Sequence, residues 1–316
     1  MRQCPVCLLR YDSAIDTCPR DGTRLVSLNP LIGTTLDDKF RIDAQIGRGA
    51  MGTVYRATQL NLERPVAIKI IRSDILSNPV AIERFKREAL AIARLKHPRI
   101  VSIYDYGVSS QVGAYIVMEH LEGHSLNVEV KTRERIPIEN AIRWMRQVCS
   151  AVSVAHTAGV IHRDLKPGNI FLETTQEGPF VKVLDFGLAK LQRNSDDGVM
   201  ALTKSGTLVG SPPYMSPEQC EDLPLDAQSD IYSLGCVFYE MVAGRPPFLG
   251  GSPIDTLVKH MNEEPRRPSE FAEGIPPAID EVLLKALSKH KMDRYESATE
   301  FGQVLAAIDV SVDPDR

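Results

Sequence analysis

The sequence predicts an α+β chain: strand-like segments gather in its first half, helical patterns fill the rest, and a small cysteine knuckle precedes both. Three observations carry this reading. Thr53-Val54-Tyr55 and Val66-Ala67-Ile68 are β-branched, apolar runs beside a glycine-rich turn. Apolar residues at helical spacing recur over 80–96, 139–158, 231–241, 278–290 and 297–309. Cys4-Pro5-Val6-Cys7 and Cys18-Pro19-Arg20-Asp21-Gly22 stand alone at the start.

In chain order, the knuckle (1–26) comes first. Two Cys-Pro turns suit tetrahedral zinc, with Cys4, Cys7, Cys18 and Asp21 as candidate ligands, Asp21 standing where a ribbon would carry cysteine. The segment has too few apolar residues to fold without a metal. A flexible tail with reduced thiols, or a redox pair at Cys4 and Cys7, is the other reading. Residues 27–38 read as a linker broken by Asn29-Pro30 and Gly33.

From Phe40, residues 40–58 and 65–72 read as strands around Gly47, Gly49 and Gly52. A helix follows over Val80 to Lys96, with Phe85, Ala89, Ile92 and Leu95 on one face and Glu88 at its edge. Tyr115 to Leu121 reads as a buried strand running into a linker. The helix over 139–158 places Ile142, Met145, Cys149, Val152 and Ala155 on its core face, and Gly159 ends it. The helix around Ile231 to Met241 is apolar on nearly every face, so it should be buried.

At 316 residues the chain has room for a substantial core. A net charge of −4 and a pI near 6.0 give no reason to expect a nucleic-acid partner. No apolar run approaches the roughly 18–20 residues of a membrane span, and no signal peptide is evident, so a cytoplasmic protein is expected. Six cysteines, three of them within the first 18 residues, are too few for a disulfide scaffold.

The chemistry is concentrated in His162-Arg163-Asp164-Leu165-Lys166-Pro167-Gly168-Asn169, followed by Asp185-Phe186-Gly187, with Asp185 16 residues after Asn169. Upstream lie Gly47-Arg48-Gly49-Ala50-Met51-Gly52 and Val66-Ala67-Ile68-Lys69; downstream lie Ser216-Pro217-Glu218 and Ser229-Asp230-Ile231. The glycine string is weak evidence alone. A dinucleotide-binding turn would need a helix to begin inside it, whereas strand-like residues flank it on both sides.

Together these strings resemble the eukaryotic-like protein kinase family, in its bacterial Hanks-type branch, from about Gly33 to about Asp309. Among them only Ser216, in place of the usual alanine, departs from the pattern, at a position expected to touch no chemistry. The resemblance implies a bilobal fold over 39–310: a small antiparallel β lobe with one key helix (39–118), a hinge (119–123) and a large, mainly helical lobe (124–310), before a tail at 311–316.

It also implies roles. Asp164 would accept the proton of the attacking hydroxyl, and Lys166 would steady the moving phosphoryl group in the serine/threonine pattern. Lys69 would meet the ATP phosphates, held by Glu88, with Glu83 the rival at poorer spacing. Asn169 and Asp185 would hold Mg²⁺. Val54 and Ala67 would roof the adenine, and the backbone of Glu119 and Leu121 would bond it, with Met118 as gatekeeper and Ile46 and Phe171 as further contacts.

Thr207 occupies the common activation-loop phosphorylation position, with Thr203 and Ser205 as alternatives. Arg84, Arg163 and Lys190 would receive that phosphate. Ser211 would bridge Asp164 and Lys166 in the wall that meets the substrate, and Leu188 favours serine as acceptor. Gly168 and Ser125 replace acidic residues of arginine-directed kinases. Glu218 and Arg294 would form a buried pair, and Asp230 would tie the catalytic loop.

The expected activity is ATP-dependent phosphorylation of protein serine or threonine, with a homodimer as one route to autophosphorylation. The competing functions are a nucleotide-gated pseudokinase scaffold and a small-molecule phosphotransferase.

Overall fold

A computed structural model describes residues 2–12, 15–27, 29–73, 79–187 and 210–309. They fall into two compact units, Met1–Ser77 with Tyr104–His120, and Asn78–Ile103 with Leu121–Arg316.

The first unit begins with strands β1 (Arg2–Gln3), β2 (Arg10–Tyr11) and β3 (Val26–Ser27), paired antiparallel in the order β2-β1-β3. This small sheet carries a miniature core of Cys4, Cys18 and Leu25. The main sheet has six strands: β4 (Thr35–Leu36), β5 (Phe40–Gly49), β6 (Gly52–Gln59), β7 (Arg64–Ile71), β8 (Ile103–Ser109) and β9 (Gly113–Glu119), ordered β4-β5-β6-β7-β9-β8.

Strand periodicity assigns its faces. Tyr55, Ala57, Val66, Ile68, Tyr115 and Val117 point to one side and form the core with Phe40 and Ile42. Segment 27–38, read as a connector, is bound along this sheet. Leu36 is buried in the core and Leu31 packs against it. Asn29 Nδ2 donates to Tyr55 Oη at 2.7 Å and to Gln45 Oε1 at 2.9 Å, while Tyr115 Oη donates to Asp37 Oδ2 at 2.6 Å.

The second unit holds helices α1 (Pro79–Ala93), α2 (Leu126–Arg133), α3 (Ile138–Thr157), α4 (Pro217–Cys220), α5 (Ala227–Ala243), α6 (Pro253–Asn262), α7 (Pro277–Ala286) and α8 (Ala298–Ala306). Its sheet is small: β10 (Gly123–Ser125), β11 (Ile170–Glu173) and β12 (Phe180–Val183), all antiparallel. Helix α3 buries the stripe read from sequence and more, Trp144 and Val148 included. Helix α5 is buried around its whole circumference from Ser229 to Tyr239. It is capped by Asp226, which accepts from the Gln228 and Ser229 amides, and ended by Gly244 in the left-handed conformation.

Helix α1 stops at Ala93 and α7 at Ala286, each short of the predicted end. Beyond α7 the chain turns aside, and the Ser288 carbonyl accepts from Arg294 Nε, six positions on, at 2.8 Å. Among the described residues no helix is long and apolar enough to cross a membrane.

Candidate active site

The loop after α3 is built by backbone anchoring. Gly159, at φ 74°, turns the chain out of the helix, and the Val160 amide closes the turn on the Ala155 carbonyl at 2.9 Å. Asp230, buried in the first turn of α5, then holds the loop backbone with both carboxylate oxygens. Its Oδ2 accepts from the His162 amide at 2.8 Å and its Oδ1 from the Arg163 amide at 2.9 Å. His156 Nε2 lies 2.7 Å from the same Oδ2.

His162 is fully buried and fixes the next step. Its Nε2 donates to the Leu184 carbonyl at 2.8 Å, since a carbonyl can only accept. That leaves Nδ1 to accept from the Asp164 amide at 3.3 Å. One imidazole thus connects the loop carrying Asp164 to the strand end carrying Asp185.

Around Asp164 the structure brings four predicted residues together. Lys166 Nζ donates to Asp164 Oδ2 at 2.6 Å and to Ser211 Oγ at 2.8 Å, and Ser211 Oγ donates to Asp164 Oδ1 at 3.2 Å. Asn169 Nδ2 donates to the Asp164 carbonyl at 2.7 Å and to its Oδ2 at 3.1 Å. The Asp164 and Lys166 side chains remain 21% and 29% accessible, so the carboxylate is preorganised yet reachable by a substrate.

The hairpin of β11 and β12 places the two metal candidates. Ile170 pairs with Val183, and the Leu184 amide donates to the Asn169 carbonyl at 2.9 Å, so Asn169 and Asp185 emerge at the same open end. Asn169 commits its amide nitrogen to Asp164, which leaves the side-chain carbonyl oxygen as its ligand atom. A carboxylate and an amide oxygen are hard donors that fit Mg²⁺. Asp185 adopts a left-handed backbone at φ 59°, a conformation that aspartate tolerates better than most side chains do.

In the first unit, register explains the nucleotide candidates. Val54 faces Lys69 across β6 and β7, Lys69 faces Ile116, and Ala67 faces Met118. Val54, Ala67, Lys69 and Met118 therefore share the sheet face opposite the Tyr55–Ile68–Val117 core. Ile46 is exposed at the mouth of the glycine hairpin, and Glu119 ends β9.

The three glycines differ. A Cβ on Gly52 would lie 2.0 Å from the Ile70 carbonyl oxygen, whereas one on Gly49 would meet nothing within 4 Å. Gly52 is needed by the sheet itself; Gly49 is spare to it. Gly52→Ala should therefore lower stability by about 1–3 kcal/mol or more, as overpacking does, in thermal unfolding. Gly49→Ala should leave the unfolding midpoint unchanged while weakening ATP binding.

On α1, Glu83 forms an exposed pair with Lys86 at 2.7 Å, while the Glu88 side chain is only 14% accessible. Arg84 lies half-buried on the same helix, and Leu121 and Phe171 are half-buried in the second unit. Thr203, Ser205, Thr207, Leu188 and Lys190 lie outside the described residues.

Sequence reasoning passed over two residues. Ser216 is fully buried and caps α4 by accepting from the Gln219 amide at 3.3 Å. Gln219 returns the bond, its Oε1 accepting from the Ser216 amide at 2.9 Å, and its Nε2 donates to the Arg163 carbonyl at 2.7 Å. A Ser-x-x-Gln capping box was the available signal.

At the N-terminus, the Cys4, Cys7, Cys18 and Asp21 ligand atoms all lie within 4.8 Å of one another. The two turns repeat each other. The Leu8 amide bonds the Cys4 carbonyl at 3.0 Å and the Gly22 amide bonds the Cys18 carbonyl at 2.9 Å, with Leu8 and Gly22 both left-handed. Asp21 is thus the geometric counterpart of Cys7.

A carboxylate bridged to a lysine and a hydroxyl, beside two hard-oxygen donors, is machinery of the phosphotransferase class. Residues 40–304 match the protein kinase domain, and the chain belongs to the protein kinase family. It is 42% identical to the serine/threonine-protein kinase pkn3 of Myxococcus xanthus over 281 residues, covering 88% of this chain and 51% of that protein. It is 39% identical to the serine/threonine-protein kinase PknB of Mycobacterium leprae over 293 residues, covering 89% of this chain and 46% of that one. The chain thus spans about half the length of the curated relatives it matches. The fold is similar to the crystallised kinase domain of Mycobacterium tuberculosis PknI, with a TM-score of 0.68, 24% identity, and coverage of 87% of this chain and 97% of that one.

Proposed function

We propose that this chain is a serine/threonine protein kinase that transfers the γ-phosphate of ATP to protein hydroxyls. The observation that carries the reading is the triangle of Asp164, Lys166 and Ser211, with Asn169 bonded to the same carboxylate. Asp164 is placed to accept the hydroxyl proton, and Lys166 to offset charge on the phosphoryl oxygens. Asn169 and Asp185 would hold Mg²⁺, which supplies charge neutralisation at the phosphates. Lys69 would contact the phosphates, and the Val54–Ala67–Met118 face would receive the base.

The test is incubation with Mg²⁺ and labelled ATP, followed by mapping of phosphosites by mass spectrometry. Label on Thr207, Thr203 or Ser205 supports both the activity and activation by autophosphorylation. Measurable ATP binding with no transfer to itself or to generic protein substrates overturns the kinase reading in favour of a scaffold.

The knuckle is a zinc site in this reading. Thiolate bonds of about 2.3 Å to a tetrahedral ion set ligand atoms on the order of 3.8 Å apart. Cys7 Sγ and Cys18 Sγ lie 3.6 Å apart, and Cys4 Sγ lies 3.2 Å from Asp21 Oδ2, so three thiolates and one carboxylate fit. Protein never exposed to chelator should carry close to one zinc per chain. Co²⁺ in its place should give the visible bands of a tetrahedral thiolate site, weakened in Asp21→Ala. Well under one equivalent of zinc, with no such bands, would remove the assignment.

A further inference from the structure

We infer that Gln219 is a positioning residue for phosphoryl transfer, holding the backbone that presents Asp164. The inference rests on the reading of Asp164 as the base. Arg163, immediately before it, is a non-glycine residue at φ 70°, in the left-handed region that favours glycine. Such a conformation persists only where the surroundings impose it.

Two contacts do so from opposite sides. The Arg163 amide donates to Asp230 Oδ1 at 2.9 Å, and the Arg163 carbonyl accepts from Gln219 Nε2 at 2.7 Å. The carbonyl belongs to the peptide unit whose nitrogen is that of Asp164. Fixing its plane fixes the direction in which the Asp164 side chain leaves the backbone. That side chain must meet Lys166, Ser211 and Asn169 at once, and small errors of orientation are costly in a preorganised site.

Gln219 is itself rigidly held. It is 8% exposed, its Oε1 accepts from the Ser216 amide, and its own amide donates to Ser216 Oγ. Its amide group is oriented by this box, so that the nitrogen and not the oxygen faces Arg163. The adjacent Glu218 is locked to Arg294. The cap of α4 is thereby joined to the loop that carries Asp164 through one side chain.

The chemistry of the amide suggests the discriminating variants. Gln219→Glu retains an oxygen to accept from the Ser216 amide but sets a second oxygen against the Arg163 carbonyl. Ser216→Ala removes the capping hydroxyl and leaves the Gln219 side chain in place.

The experiment compares both variants with wild type as full chains in steady-state transfer from Mg-ATP, alongside hydrogen exchange of the 162–166 backbone amides. The expected result for Gln219→Glu is a kcat roughly 10- to 100-fold lower, an unchanged KM for ATP, and faster exchange at 162–166. Ser216→Ala should lower the unfolding midpoint while keeping kcat within about twofold and leaving that exchange slow.

Equal kcat and equal exchange in Gln219→Glu and wild type would overturn the inference. So would an equal loss in both variants, which would mark the cap as merely structural. If wild type itself transfers no phosphate, the kinase reading fails, and the exchange result alone still decides whether Gln219 holds the loop.

Discussion

Replacing Asp164 with asparagine should reduce phosphoryl transfer by roughly 10²- to 10⁴-fold while leaving ATP affinity within a few-fold of wild type. The substitution preserves shape and removes the charge. Lys166 Nζ, 2.6 Å from Oδ2, would lose its ionic partner, and the proton of the incoming hydroxyl would lose its acceptor. The loss corresponds to about 3–5 kcal/mol of transition-state stabilisation. Nucleotide binding should survive because the substitution leaves its candidate residues intact, the sheet face of Val54, Ala67 and Met118 and the glycine hairpin.

The scaffold of the loop should also survive, since Asp230, His162 and Asn169 hold its backbone through contacts that do not need the Asp164 charge. Isothermal titration with ATP beside a transfer assay separates the two quantities. Near-normal turnover in a folded Asp164→Asn protein would remove Asp164 as the base and, with it, the mechanism derived from the triangle.

What the sequence disclosed and what it hid divide along contact range. The apolar run Val66-Ala67-Ile68 announced a strand beside the glycine turn, while the faces, Ile68 in the core and Lys69 on the other side, follow from the observed register. The helical stripe of α3 was equally plain. The triangle of Asp164, Lys166 and Ser211 is expected only because the order of motifs resembles a family. Nothing local links Ser211 to Lys166, which lie 45 positions apart, or Gln219 to Arg163, at 56.

The capping box at Ser216 shows the limit well. Its serine reads from the sequence only as a departure from the usual alanine, because the pattern records residue type and not which hydrogen bond the residue makes. The segment 27–38 misled for a related reason. Its Pro and Gly read as breakers, yet Leu31 and Leu36 are spent on the sheet core and Asn29 and Asp37 on two tyrosines of the sheet. Breakers mark where regular structure stops, and a strap packed against a sheet needs none.

The largest effect on stability is expected at Arg294. All five guanidinium donors are used: two meet Glu218, at 2.8 and 2.9 Å, and the others meet the carbonyls of Ser288, Gln228 and Lys289. Both partners are 3% exposed. Burial pushes the Glu218 carboxyl up, and the hydrogen bonds and charge of Arg294 more than offset this, leaving it below its ordinary value. A carboxyl depressed in the folded state contributes stability that is complete above the unfolded glutamate range and is lost as pH falls from that range through the lower folded value.

Arg294→Met should therefore cost about 3–5 kcal/mol, a buried anion being left without its cation. That is roughly 5–8 °C in the unfolding midpoint for a chain of this size. Glu218→Gln should also destabilise, because its amide nitrogen sets a donor against an Arg294 donor and leaves the buried cation without its anion, although Arg294 keeps its three carbonyl acceptors. The double variant Glu218→Met/Arg294→Met should recover only part of the loss. Replacing a buried pair by apolar residues is often neutral, but here the three carbonyls would lose their donor. Full recovery in the double variant would show that those carbonyls find other partners and that Arg294 serves the ion pair alone. Persistent loss would identify it as the post on which α4, the start of α5 and the chain before α8 all hang.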